Sequence, residues 1–129
     1  MTRTFTLGKK ERLKSRKALE ALFRSGRTIQ QPLLRMTYRP VTDSGIRFGV
    51  GVSARHFKKA TDRNRIKRLV REGWRLQKGF LRSGLSGSAP GLDIFFTYQG
   101  KQLPVFEETR QSIAACIEKL LRRLHEERA

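Results

Sequence analysis

DRNRIKRLVREGWR, residues 62–75, carries six Arg or Lys and two acidic residues. On a helical wheel with Arg63 at zero, Ile66, Leu69, Val70 and Leu76 fall in one arc, from about 220° to about 340°. Gly73 sits inside that arc, where a missing side chain permits close approach of a neighbouring element. Lys67, Lys78, Arg71, Asn64, Arg75 and Arg68 occupy the opposite side, from about 40° to about 140°. The stretch therefore predicts a helix with one face for a core and one for an anion. Asn64 stands in the middle of the basic face, with Arg63 and Arg65 on its margins. Lys and Arg attract phosphate without reading sequence, whereas Asn donates and accepts directional hydrogen bonds.

A solvated face would mix in acids. Here Arg63, Lys67, Arg71 and Arg75 follow one another at i, i+4, and each such like-charged pair costs a few tenths of a kcal/mol, roughly. From Arg55 to Arg82 there are eleven Lys or Arg and only Asp62 and Glu72 against them. The imbalance runs through the whole chain: 129 residues, 29 basic and 11 acidic, a formal charge of +18. Such self-repulsion opposes compaction, and a polyanionic partner, nucleic acid before membrane, accounts for it. The 37% hydrophobic content fills one modest core, which fits a single domain of this length.

Working outward, residues 1–14 read as a basic arm and 15–129 as the folded domain. SRKALEALFRSG (15–26) is a short helix with Ser15 as N-cap and Gly26 as stop. LLRMTYR (33–39) and IRFGVGV (46–52) read as strands, and TDSG (42–45) between them predicts an antiparallel hairpin. SGLSGSAPG (83–91) is a loop, LDIFFTY (92–98) a third strand, and Pro104 opens a last helix at its first position. Phe106, Ile113, Ile117, Leu120 and Leu124 give that helix its apolar stripe, and Cys116 falls on it. The order is α-β-β-α-β-α, an α+β domain.

Chemistry-bearing side chains are sparse. His56 and His125 are the two histidines and Cys116 the one cysteine, so an internal disulfide and a cysteine-based zinc site are excluded. The acids are scattered, with Asp62 and Asp93 read as helix-capping and strand-end residues, whereas a two-metal nuclease needs converging carboxylates. No apolar run reaches a membrane span and the N-terminus has no signal-like segment, so a reducing cytoplasm is expected, with no membrane contact. Trp74 falls at the seam between the two helix faces and reads as a core-edge residue.

RNRIKRLVRE (63–72) closely resembles the signature of the bacterial ribonuclease P protein subunit. RLKSRKALEALFRSG (12–26), RFGVGVSARHFKKATDRNRIKR (47–68), LDIFFTYQG (92–100) and FEETRQSIAACIEKLLRRL (106–124) resemble that family's first helix, strand and basic turn, last strand and closing helix. Two positions depart from the family's pattern: Ala54 stands where a lysine is usual, and Gln99 where a basic residue is usual. The resemblance implies a sheet with packed helices and a left-handed βαβ crossover. It implies a subunit of the ribonucleoprotein endonuclease that removes the 5′ leader of precursor tRNA, in which the RNA subunit, with Mg²⁺, carries the catalysis. No catalytic group, metal or cofactor is assigned to the chain itself, and no obligate protein partner. The expected contacts to the catalytic RNA are Arg55, Lys58, Lys59, Arg63, Asn64, Arg65, Lys67, Arg68, Arg71 and Arg75. The expected leader contacts are Phe23 and Tyr38, which the resemblance favours, and the basic neighbours Arg16 and Arg24. The competing reading is a generic RNA-binding or ribosome-associated protein with no enzymatic partner.

Overall fold

The computed structural model describes Leu13 and residues 15–42, 45–85 and 91–128. The expected basic arm, the centre of the 42–45 turn and most of the 83–91 loop lie outside these residues. The elements are α1 (Arg16–Ser25), β1 (Arg27–Gln30), β2 (Leu34–Val41), β3 (Gly45–Val52), α2 (Ala60–Gly84), β4 (Gly91–Tyr98) and α3 (Phe106–Arg128). They form an α+β domain around one mixed sheet of order β1-β2-β4-β3. Three layers result: α1 lies against β2 and β4 on one face, while α2 and α3 pack together and cover the other.

The sheet corrects the expected hairpin. β2 and β3 do not pair; β4 lies between them, antiparallel to β2 and parallel to β3. The 42–45 turn signal is local chemistry and says nothing about which strand enters the gap. β4 takes the centre because its two faces are both covered. Leu92, Ile94, Phe96 and Tyr98 face the core, while Asp93 on the other face is also buried. α2 is thus the crossover that joins the parallel neighbours β3 and β4. The strand β1 was not expected. Of its four residues only Ile29 is buried, too few to show a period, and its backbone pairing with β2 makes it a strand.

The alternation of β3 is as expected: Ile46, Phe48, Val50 and Val52 lie in register with the core positions of β4. Phe48 stacks face to face on Trp74 of α2, ring centroids 5.1 Å apart, which fixes the helix against the sheet. This contact also turns α2 relative to the wheel. The buried stripe is Ile66, Val70, Gly73, Trp74, Lys78 and Leu81, centred near about 0° rather than about 280°. Trp74 is therefore core, Leu76 emerges to 42% exposure, and Lys78, expected on the basic face, is 1% exposed. The role foreseen for Gly73 holds: a Cβ there would lie 2.7 Å from Cδ1 of Ile113, so its absence lets α3 close on α2. α3 begins at Phe106, two residues beyond Pro104.

Candidate nucleic-acid interface

Two surfaces carry the expected contacts, and the sheet separates them. The first is the outer face of α2. The helix starts at Ala60 after the N-cap Lys59, whose side chain makes no capping bond, so its leading N–H groups and positive end sit beside Lys58 and Lys59. Asn64 is exposed on the second turn, with Arg65, Arg68 and Arg71 also exposed and Lys67 half-buried. Arg55, Lys58 and Lys59 are exposed on the turn that leads in from β3. Two arginines of the set have structural partners. Arg63 donates from Nη1 to the carbonyls of Phe57 (2.6 Å) and Lys58 (2.9 Å), tying the basic turn to the helix. Arg75 is ion-paired with Glu72, and its hydrogen bond holds the Glu72 carboxyl below the usual range.

The second surface is the α1 face of the sheet. Ser15 caps α1 by accepting from the Ala18 N–H, and Leu22 anchors the helix by burial. Phe23 is left 55% exposed and meets Phe95 of β4 edge to face. The floor beneath Phe95 is made by glycines. A Cβ on Gly49 or on Gly51 would lie 2.9 Å from the Phe95 ring, so only bare backbone lets the ring lie across β3. Gly49 is the register partner of Phe95, and Gly51 follows on the same face. The sequence signal was the Gly-x-Gly alternation in FGVGV, half of which had been read for its apolar partners alone. Arg16 and Arg24 are exposed at the two ends of α1.

Tyr38 does not join this surface. It faces the core in register with Ile94, and its hydroxyl is buried without a hydrogen-bond partner. The outward positions of β2 are Arg35, Thr37 and Arg39, one residue out of phase with the tyrosine. Of the departures noted above, Ala54 is exposed on the basic turn. Gln99 is tied back by its N–H to the Leu33 carbonyl at 2.8 Å. Leu13 is buried and donates its N–H to the Phe48 carbonyl at 2.8 Å, so the folded part begins before residue 15.

Two basic surfaces on one small α+β domain, one of them with an exposed aromatic in it, define an RNA-binding protein. Residues 7–125 match the Ribonuclease P family model. A ribonuclease P protein component of Porphyromonas gingivalis is 33% identical over 113 residues, 85% of this chain and 82% of that protein. That of Chlorobaculum tepidum is 32% identical over 131 residues, 92% of this chain and 85% of that protein. The solved ribonuclease P protein of Thermotoga maritima superposes with a TM-score of 0.69 at 26% identity, covering 84% of this chain and 96% of that one. The chain belongs to the ribonuclease P protein component family, the protein part of a tRNA-processing ribonucleoprotein.

Proposed function

We propose that the chain binds the catalytic RNA of ribonuclease P through the outer face of α2 and holds the single-stranded 5′ leader of precursor tRNA on the α1 face of the sheet. One observation carries the reading: Phe23 stands exposed over Phe95 and the glycine floor, on the face of the sheet away from α2. An exposed ring beside basic residues is what a sequence-tolerant single strand requires, because every base has a stackable face. Cleavage belongs to the RNA with its Mg²⁺. The protein neutralises phosphate and positions the leader, in keeping with the family to which it belongs.

The test is reconstitution. Adding the purified chain to a ribonuclease P RNA at low Mg²⁺ is expected to raise the rate of leader removal and the preference for precursor over mature tRNA. A chain that leaves both unchanged is not that subunit. Cleavage of precursor tRNA by the chain without RNA would overturn the division of labour.

A further inference from the structure

At the end of the α1 face away from the start of α2 lies an open cavity of about 470 Å³, bounded by Ala18 of α1, Arg39 of β2 and Arg47 of β3, with Asp93 of β4 at its base. Asp93 is register partner to both arginines, so one carboxylate stands between two guanidinium side chains. It is 1% exposed and both of its oxygens are taken by Arg47: Nε donates to Oδ1 at 2.8 Å and Nη2 to Oδ2 at 2.9 Å. That bidentate hold fixes the Arg47 guanidinium and leaves three of its five N–H donors uncommitted to the carboxylate. A buried carboxylate needs one such partner. Arg39 is the second; among the described residues its side chain makes no hydrogen bond or ion pair, and it lines the cavity. The first turn of α1 adds Arg16 and Lys17 and no acid.

We propose that Arg39 and Arg47 form a phosphate clamp for the RNA strand that crosses Phe23 and Phe95, with Asp93 as the residue that positions Arg47. The inference rests on the leader reading above and extends it. Arg47 and Gly49 are successive outward positions of β3, as are Asp93 and Phe95 of β4, so clamp and aromatic platform are one step apart on one face, about 7 Å. That is the scale of one nucleotide in an unstacked strand. From Arg47 to Val52, where the chain turns toward α2, is about 17 Å. With the catalytic RNA at the first turns of α2, which follow Val52, the clamp takes a phosphodiester on the 5′ side of the stacked base.

The experiment uses the full chain assembled with ribonuclease P RNA. Precursor tRNAs carry a neutral methylphosphonate at one leader linkage at a time. For the unaltered protein, a linkage 5′ of the stacked base should cost about tenfold in affinity, the loss of a charge-assisted hydrogen bond. Arg39→Ala should remove the sensitivity at that linkage, and Arg39→Lys should restore part of it. Arg39 is half-exposed and its side chain has no partner among the described residues, so the variant tests binding and not folding. If Arg39→Ala keeps the full linkage profile, the clamp is wrong while the leader reading stands. If precursor is bound no better than mature tRNA by the unaltered protein, the leader reading itself fails. Inorganic phosphate that displaces no leader linkage yet protects Arg39 from arginine-directed reagents would mark a free-anion site and overturn the strand assignment.

Discussion

Phe23 of α1 meets Phe95 of β4 with ring centroids 5.1 Å apart and planes at 74°. Phe95 is thereby held from one side by Phe23 and from below by Gly49 and Gly51, while Phe23 keeps more than half of its surface open. A ring in that position presents a stacking surface and contributes little to the core, and the variants that follow separate those two roles.

Phe23→Ala is expected to leave the fold intact, since the buried anchor of α1 is Leu22. Loss of one stacking partner costs about 1–3 kcal/mol, so the assembled enzyme should bind precursor tRNA roughly 5- to 150-fold more weakly. Mature tRNA lacks a leader, and its affinity should barely move. Equal affinities for the variant and the parent protein toward precursor would remove Phe23 from the site.

Tyr38→Phe tests the correction made by β2. Its hydroxyl is buried without a partner, a situation that costs about 1–3 kcal/mol. Removing the oxygen should leave the melting temperature unchanged or raise it by a few degrees, with leader affinity unaltered. A drop in precursor binding at constant stability would return Tyr38 to the leader surface.

The difference between Phe23 and Tyr38 shows where sequence reading reached and where it stopped. Phe23 sits on a helix whose cap, stop and apolar spacing are local, so the helix could be read from the residues, whereas the place of Phe23 on the leader surface was implied by the family resemblance. The face that Tyr38 takes depends on strand register, and a slip of one residue exchanges inside for outside. Register here is set by β4 entering between β2 and β3, a long-range event with no local mark. The same holds for α2. Its two-faced character was legible, but its rotation was fixed by Trp74 meeting Phe48 across the sheet, which buried Lys78 and exposed Leu76. The Arg47–Asp93 pair spans 46 residues, and its register could not be read without the sheet order.

Cys116 is buried in the core, and burial pushes its thiol up from 9.0 to about 12. The native protein should resist alkylation at about pH 8 and react only on unfolding, which makes labelling a direct unfolding assay. The folded value lies above the unfolded one, so this group's stabilisation is fully present below pH 9 and is lost as pH rises toward 12. Denaturant midpoints measured from neutral to alkaline pH should fall through that window, and Cys116→Ala should flatten the fall. An identical fall in the variant would assign it elsewhere.

Arg63 and Arg68 belong to the same signature and should behave differently. Arg63 satisfies two backbone carbonyls at the entrance to α2, so Arg63→Ala should lower stability by about 1–3 kcal/mol. Arg68 is exposed and has no such task. Arg68→Ala should leave the melting temperature alone, weaken binding to all RNA sequences alike, and shrink the salt slope by about one phosphate. A salt slope unchanged by the Arg68 variant would mean that this face does not meet phosphate.

Asn64 tests whether that face does more than neutralise charge. α2 begins at Ala60 with Lys59 as its cap residue, so Asn64 lies on the second turn and does not cap the helix. Its side chain is exposed between the exposed arginines at 68 and 71 on the helix face, in a position to meet a base edge or a 2′-hydroxyl while they hold the backbone. Asn64→Ala should therefore raise the helix propensity slightly and leave stability unchanged or improved. Complex formation with the catalytic RNA should weaken by about 1–3 kcal/mol, the range for a hydrogen bond to a charged or polar group lost at an interface. Because Asn carries no charge, the salt slope should stay constant while the affinity drops, the reverse of the pattern expected for Arg68. Asn64→Asp keeps the shape and reverses the donor, so it should bind more weakly than the alanine variant. A fall in melting temperature with RNA affinity intact would make Asn64 a structural residue.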